Sequence, residues 1–182
     1  MGMETMASAA ESNLTGAIAS ASAGDEVAFA KIVAAHHEDM RRVCAVVCGD
    51  ETIAEEAAQA AWSVAWRRLG SLREPQRLRP WLVSVAVNEA KQLLRKRRRI
   101  RSLEVSVDAS RTTGGIDPAF GIDLIDLRSA LERLDPDDRA LLAMRYVAGF
   151  DATELAVATG ISPAGMRTRL KRSLDRLRQE IT

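Results

Sequence analysis

The 182-residue chain is 47% apolar and 28% charged, which gives it the means to build a core and argues against global disorder. Its 26 Lys and Arg nearly balance its 25 Asp and Glu, for a net charge of +1, but the sum hides local blocks of one sign. No apolar run approaches the roughly 18 residues a membrane span needs, the N-terminus has Glu4 and no basic stretch of a secretory signal, and two cysteines cannot make a disulfide framework, so a soluble cytoplasmic protein is expected.

Aromatics are only 4%, and Ala, Leu, Arg and Glu abound, which favours helices over sheets. Residues 1–24 are rich in Ala, Ser and Gly and read as a mostly disordered tail, with room for a short helix near Leu14–Ser20. From Asp25, the residues Val27, Phe29, Ile32, Val33, His36, Met40, Val43 and Val47 recur mostly at three- and four-residue steps, one face of a helix that Gly49-Asp50 ends. A second helix runs from about Thr52 to Leu69, with Glu55, Glu56 and Gln59 near one face and Ala58, Trp62, Ala65, Trp66 and Leu69 on an apolar one. Gly70 to Pro80 holds one Gly and two Pro and reads as a loop. A third helix starts near Trp81 and runs through Leu82, Val85, Ala86, Leu93 and Leu94 into KRRRIR.

Residues 102–122 lose periodicity and gain Ser, Thr, Gly and Asp, the composition of a flexible linker. The expected fold is therefore all-α, with two helical domains spanning about 25–101 and 123–182. In the second, Leu124, Leu127, Leu131 and Leu134 mark a short amphipathic helix. Asp135 can cap the next, with Pro136 at its first position and Asp137 and Asp138 in its first turn. Asp151 caps another, with Glu154 three residues on. That helix stops at Gly160, and Ser162-Pro163 opens a last helix to about Glu180.

The strongest local signal is Asp151–Arg172, DATELAVATGISPAGMRTRLKR. A short helix, a tight turn at Thr159-Gly160-Ile161 and a capped helix with Met166 and Leu170 inward give helix-turn-helix spacing. The small Ala156 permits close approach. The last helix exposes Arg167, Arg169, Lys171 and Arg172, which suits a major groove, with bases read near the N-terminus and phosphates further along. A helical hairpin with a solvated basic face fits the same residues. Lys91–Arg101 carries seven basic residues in eleven and no acid, after a loop with Arg73, Arg77 and Arg79. Basic side chains beside aromatics such as Trp81 suit unpaired nucleic acid, and a solvated charge run is the alternative. Glu55, Glu56 and Gln59, taken alone, read as a solvated face.

His36, His37, Cys44 and Cys48 invite a metal, but His37 and Cys48 lie about 16 Å apart along one helix, too far for one ion's shell. Core cysteines are expected instead. No Gly-rich phosphate loop, nucleophile motif or carboxylate pair points to catalysis, so no catalytic residue, metal or cofactor is expected.

Together these segments resemble the extracytoplasmic-function (group IV) sigma factors of bacterial RNA polymerase. AEEAAQAAWSVAWRRL resembles the family's second conserved helix, RPWLVSVAVNEAKQLLRKRRR its promoter-melting helix, and LDPDDRALLAMRYVAGFDATELAVATGISPAGMRTRLKRSLDRLR its C-terminal domain. Glu56 stands where the family usually has Asp, Ala57 and Ala58 where it has bulkier apolar residues, Ala60 where it has an acid, and Gln92 where Asp is frequent.

The resemblance implies that 25–101 is sigma region 2, 102–122 the linker and 123–182 sigma region 4. It implies that Glu55, Glu56, Gln59 and Trp62 dock the clamp of the largest subunit of core RNA polymerase. Arg73 and Arg77 then belong to a loop that pockets a flipped base, and Trp81, Asn88, Lys91 and Arg95 to the helix that meets the unwound −10 strand. Ser162, Ala164, Arg167, Thr168, Arg169, Lys171 and Arg172 fall on the −35 recognition helix. The implied partners are core polymerase, promoter DNA and an anti-sigma factor, which could hold the chain at a membrane without its inserting. A linker of 21 residues extends to roughly 70 Å, enough for a spacer of about 16–17 base pairs, roughly 55–60 Å at 3.4 Å each. The residues leave two other readings open: a helix-turn-helix regulator acting without polymerase, which would need a ligand or dimer domain in place of the first module, and an anti-sigma-like helical bundle.

Overall fold

The computed structural model describes residues 14–103 and 122–181, and every described element is helical. We number them α1 (14–22), α2 (Glu26–Cys48), α3 (Glu51–Arg68), α4 (Leu78–Leu103), α5 (Ile122–Arg133), α6 (Pro136–Tyr146), α7 (Ala152–Thr159) and α8 (Pro163–Ile181). Most of the residues assigned to the linker, 104–121, lie outside the described residues, as do 1–13.

The caps come from the residues the sequence marks. Asp25 accepts from the amides of Val27 and Ala28 at 2.9 and 3.0 Å to start α2. Gly49, at φ 70°, ends it in the left-handed conformation that a side chain resists, and its N–H returns to the Ala45 carbonyl. Asp50 caps α3 through the Ile53 amide at 2.9 Å. Asp151 and Glu154 form a full capping box on α7.

Residues 14–22 form the short helix for which the sequence leaves room near Leu14–Ser20, because Ile18 and Ala21, one turn apart, are buried on the core of the first module. Two boundaries differ from expectation. The segment after α3 is less irregular than its Gly and Pro content implies: it folds into two short 3-10 turns, Leu69–Ser71 and Pro75–Arg77. α4 then begins at Leu78, three residues before Trp81, because Pro80 sits within the first turn, where no intrahelical N–H is needed, while Leu78 is buried.

α2, α3 and α4 form a bundle around Met40, Val43, Ala54, Ala61, Leu82 and Ala86, all buried. The alanines at 57, 58, 61 and 65 are buried, so α3 meets its neighbours through small residues. Two apolar assignments fall outside: Val27 is exposed, and Trp66 lies at the surface with its ring edge-on to Phe29, 4.8 Å between centroids. In the second module, α5, α6 and α7 pack on α8 around Phe150, Leu155, Met166 and Leu170.

The two helical domains expected from the sequence are both present, and they pack on each other: α6 lies against α2 and α4 and α7 against α4, and one apolar cluster runs from Val83, Val87 and Ala90 into Ala140, Leu141 and Met144. Fully burying a Leu or Met side chain is worth about 1.5–3 kcal/mol, so this seam is a substantial part of the fold.

Candidate nucleic-acid interface

Glu55, Glu56 and Gln59 lie on one side of α3 at one-turn spacing, Glu56 and Gln59 exposed and Glu55 partly so. None is an idle surface charge. Gln59 donates to Glu55 Oε1 at 2.8 Å, and His37 Nε2 lies 3.4 Å from Glu55 Oε2. Trp62 is buried, and its indole N–H donates to His37 Nδ1 at 3.1 Å. Since Nδ1 accepts, the ring hydrogen belongs on Nε2, facing Glu55. Trp62 therefore touches this face through His37 rather than by presenting its ring. Glu56 pairs with Arg97 of α4 at 3.0 Å, so the acidic helix and the basic run neutralise each other at one point.

On α4, Asn88 and Arg95 are exposed, Lys91 and Trp81 partly buried. Asn88, Lys91 and Arg95 follow at steps of three and four, which puts them on one stripe of the helix. Arg73 and Arg77 are exposed in the preceding segment, Arg77 paired with Glu74 at 2.8 Å. A cleft of about 400 Å³ lies beside them, with Leu72, Arg77 and Trp81 on one wall and Val157 of α7 on the other.

On α8, Ser162 Oγ accepts from the Gly165 amide at 3.2 Å, and Pro163 is the first helical residue. Gly165 has little room for a side chain, since a Cβ there would stand 3.1 Å from Ile161 and 3.2 Å from Ser162. Ala164, Arg167, Thr168, Lys171 and Arg172 are all exposed and share a face at 100° per residue. Arg169 differs: it is partly buried and lines the same clefts as Asp137. Met166, Leu170 and Ser173 point inward. Ser173 donates to Asp138 at 2.9 Å, and Arg176 pairs with the same carboxylate.

Sequence reasoning missed the contacts that join the modules. Arg79 donates to Asp39 Oδ2 and to the Ala148 carbonyl, each at 2.8 Å, and its guanidinium stands 5.4 Å from the Phe150 ring centre. Arg128 donates to the Gly49 carbonyl at 2.6 Å. Lys91 pairs with Asp137 at 2.8 Å. Arg139 is buried between α6 and the first module, where loss of solvent lowers its pKa, and its Nε finds no partner among the described residues. Local periodicity carries no trace of such pairs, because their members are tens of residues apart.

Both cysteines are free thiols, Cys44 buried and Cys48 partly so. Burial pushes both up, Cys48 to about 12, so neither is a ready thiolate. Among the described residues no three His, Cys, Asp or Glu side chains converge as a metal site, and no described helix is long and apolar enough to cross a membrane.

Comparison with known proteins gives a consistent family. Residues 32–100 match Sigma-70 region 2, and residues 124–177 match Sigma-70, region 4. The chain is 29% identical over 160 residues to the RNA polymerase sigma factor CarQ of Myxococcus xanthus, covering 86% of this chain and 90% of that one. It is 26% identical over 157 residues to the ECF RNA polymerase sigma factor SigM of Mycobacterium tuberculosis, covering 85% and 78%. Its fold resembles the sigma factor RpoE of Bartonella quintana, solved in complex with the anti-sigma factor NepR, with a TM-score of 0.69 at 22% identity over 84% of this chain and 96% of that one. Two sigma regions in order on an all-helical chain, with relatives matched along most of its length, place the protein in the extracytoplasmic-function group of the sigma-70 family, the factors that direct RNA polymerase to promoters.

Proposed function

We propose a division of labour in which α3 docks core polymerase, α4 with its preceding loop captures unpaired −10 bases, and α8 reads duplex −35 DNA. Specificity then comes from differential binding rather than catalysis. Free energy gained by holding extruded bases offsets the few kcal/mol of unstacking each costs, so capture assists opening of the duplex.

The observation that carries this reading is a pair of polar stripes: Asn88 and Arg95, exposed, with the partly buried Lys91 between them on α4, and the exposed Ala164, Arg167, Thr168, Lys171 and Arg172 on α8. The first is spaced along a helix that begins beside Trp81 and an apolar cleft. The second starts at the second residue of a capped helix, in the first turn, where a groove-inserted helix is deepest. Glu55, Glu56 and Gln59 supply the acidic docking face for the clamp of the largest subunit. Residues 25–101 then act as the core-binding and −10 module, 102–122 as the linker and 123–182 as the −35 module. An anti-sigma factor is a further partner on this reading, masking the apolar and basic surfaces. If that inhibitor is membrane-anchored, it holds the chain at the membrane from the cytoplasm.

The test is transcription in vitro with core polymerase on a promoter library, with wild-type chain and Asn88→Ala compared by permanganate footprinting of promoter thymines. Asn88→Ala is expected to lower thymine reactivity by more than tenfold while closed-complex binding falls less than threefold. Equal losses in both would make Asn88 a structural amide, and no promoter-dependent transcript from any library member would refute the assignment of roles.

A further inference from the structure

A cation assigned to each DNA element lies around one carboxylate, Lys91 in contact with it and Arg169 in the same clefts. Asp137, the second residue of α6, accepts from Lys91 Nζ at 2.8 Å. Arg169 of α8 and Asp137 together line the clefts on both sides of this contact. One cleft, of about 300 Å³, is also lined by Asn88. The Lys91 hydrogen bond holds the Asp137 carboxyl below its ordinary range, with Arg169 and Arg95 acting the same way from further off and partial burial opposing them. The site selects an anion, and Asp137 supplies it from within the chain.

We propose that Asp137 sets the affinity of this sigma factor for DNA, by standing in the closed chain where a backbone phosphate would lie, so that nucleic acid and module closure compete for Lys91 and Arg169. The proposal rests on the DNA roles given above to those two residues. Lys91 lies in the first module and Arg169 in the second, so displacing Asp137 frees a cation for each element at once.

Two features keep the competition even. Asp137 is 55% exposed, so an incoming phosphate can reach the pair without prior unfolding. Arg139 works against closure: it is 5% exposed, with its Nε unpartnered among the described residues. A buried, incompletely bonded guanidinium makes an interface weaker than an apolar one of the same extent. Arg79 and Arg128 hold the seam elsewhere, so closure is retained until DNA or a partner opens it. In the closed chain, apparent DNA affinity is reduced by the fraction that is open.

The experiment uses the full chain, a fluorescein-labelled single-stranded oligothymidine followed by anisotropy, and small-angle scattering. Asp137→Asn keeps the shape of the side chain and leaves the backbone N–H on Asp135, 2.8 Å away. It is expected to tighten binding by up to about fivefold, the range of a part-exposed ion pair, and to increase the radius of gyration. Asp175→Asn removes an acid of the same module that pairs with Arg178 within α8; it is expected to leave the radius unchanged and tighten binding less. In a Lys91→Met background, Asp137→Asn is expected to give a smaller gain, the part owed to Arg169. The proposal falls if Asp137→Asn changes neither quantity, or tightens binding no more than Asp175→Asn. If Arg95→Ala and Arg172→Ala bind the strand as tightly as wild type, the DNA roles themselves fall and the proposal with them.

Discussion

Reversing the charge at Glu56 separates docking from folding, because the two depend on that carboxylate to different degrees. Within the chain, Glu56 is 52% exposed and its partner Arg97 41% exposed, with 3.0 Å between N and O. Exposed pairs of this kind contribute about 0.2–1 kcal/mol, and the like-charge contact left by Glu56→Arg adds a similar, salt-screened penalty. The expected folding loss is therefore about 1 kcal/mol, a drop of about 2–4 °C in Tm for a chain of this size. Against a basic surface the same change turns an attraction into a repulsion in a partly dry interface, which costs several kcal/mol. Three to four of these, as a rough figure, lower core affinity about 100- to 1000-fold. Anisotropy of a labelled full chain titrated with core polymerase, beside thermal unfolding by circular dichroism, measures both. A Kd unchanged within threefold, with the fold intact, would remove this part of α3 from the docking surface.

Three further outcomes are expected. In holoenzyme bound to a −35 library, Arg167→Ala should relax preference at one base pair, at about 1–3 kcal/mol for a bidentate contact, while Arg172→Ala should weaken all sequences alike and flatten the salt slope by about one unit; equal uniform losses would reduce α8 to an electrostatic anchor. With both thiols raised by burial, Cys48 to about 12, iodoacetamide at pH 8 should leave the native chain unmodified by mass spectrometry and alkylate both cysteines after unfolding; a native adduct would contradict their burial. Acid should loosen the seam between modules: Asp39, which fixes the Arg79 that donates to the Ala148 carbonyl of the second module, is partly buried yet held low by hydrogen bonds from Arg79 and Arg42, and Asp137 is held low by Lys91, so both lie below the ordinary 3.8. Their stabilisation is full above that value and is lost as pH falls through the depressed ones, so the radius of gyration should stay constant from about pH 7 to 5 and grow below about pH 4 before helix content falls.

What the sequence made legible is what short range encodes. Asp25, Asp135 and Asp151 announce helix starts because a cap acts on amides two or three residues away, while Asp50, read with Gly49 as the end of one helix, also starts the next. Gly49 and Gly160 announce stops, since both need positive φ. The exposed stripe on α8 follows from 3.6-residue periodicity. Leu78 and Pro80 misled for a local reason: proline breaks a helix interior but suits its first turn, and the two cases look alike until the upstream residues are placed. Asp137 misled more deeply. A carboxylate in a helix's first turn is explained by the macrodipole, so nothing prompts a search for a second partner, and Lys91 lies 46 residues away. The buried Arg139 gave no warning either, since it directly follows Asp137 and Asp138, the polar residues of a helix start.

α4 has a consequence of a mechanical kind. It is one unbroken helix of 26 residues, a rod of about 39 Å at 1.5 Å per residue. Its beginning carries Trp81 beside the cleft shared with α7, its middle the Asn88–Arg95 stripe, and beyond these Arg97 ties it to the acidic face of α3. A helix advances about 100° per residue, so these stations keep a fixed phase as well as a fixed distance. Adding one residue between Lys91 and Arg95 would lengthen the rod by about 1.5 Å, a trivial change, but would swing Arg95 and Arg97 a quarter-turn away from the strand and from Glu56. On the roles proposed above, α4 is a gauge that would set the angle between polymerase and the captured strand, and away from the Asn88–Arg95 stripe it should tolerate substitutions on its exposed positions but not a single insertion.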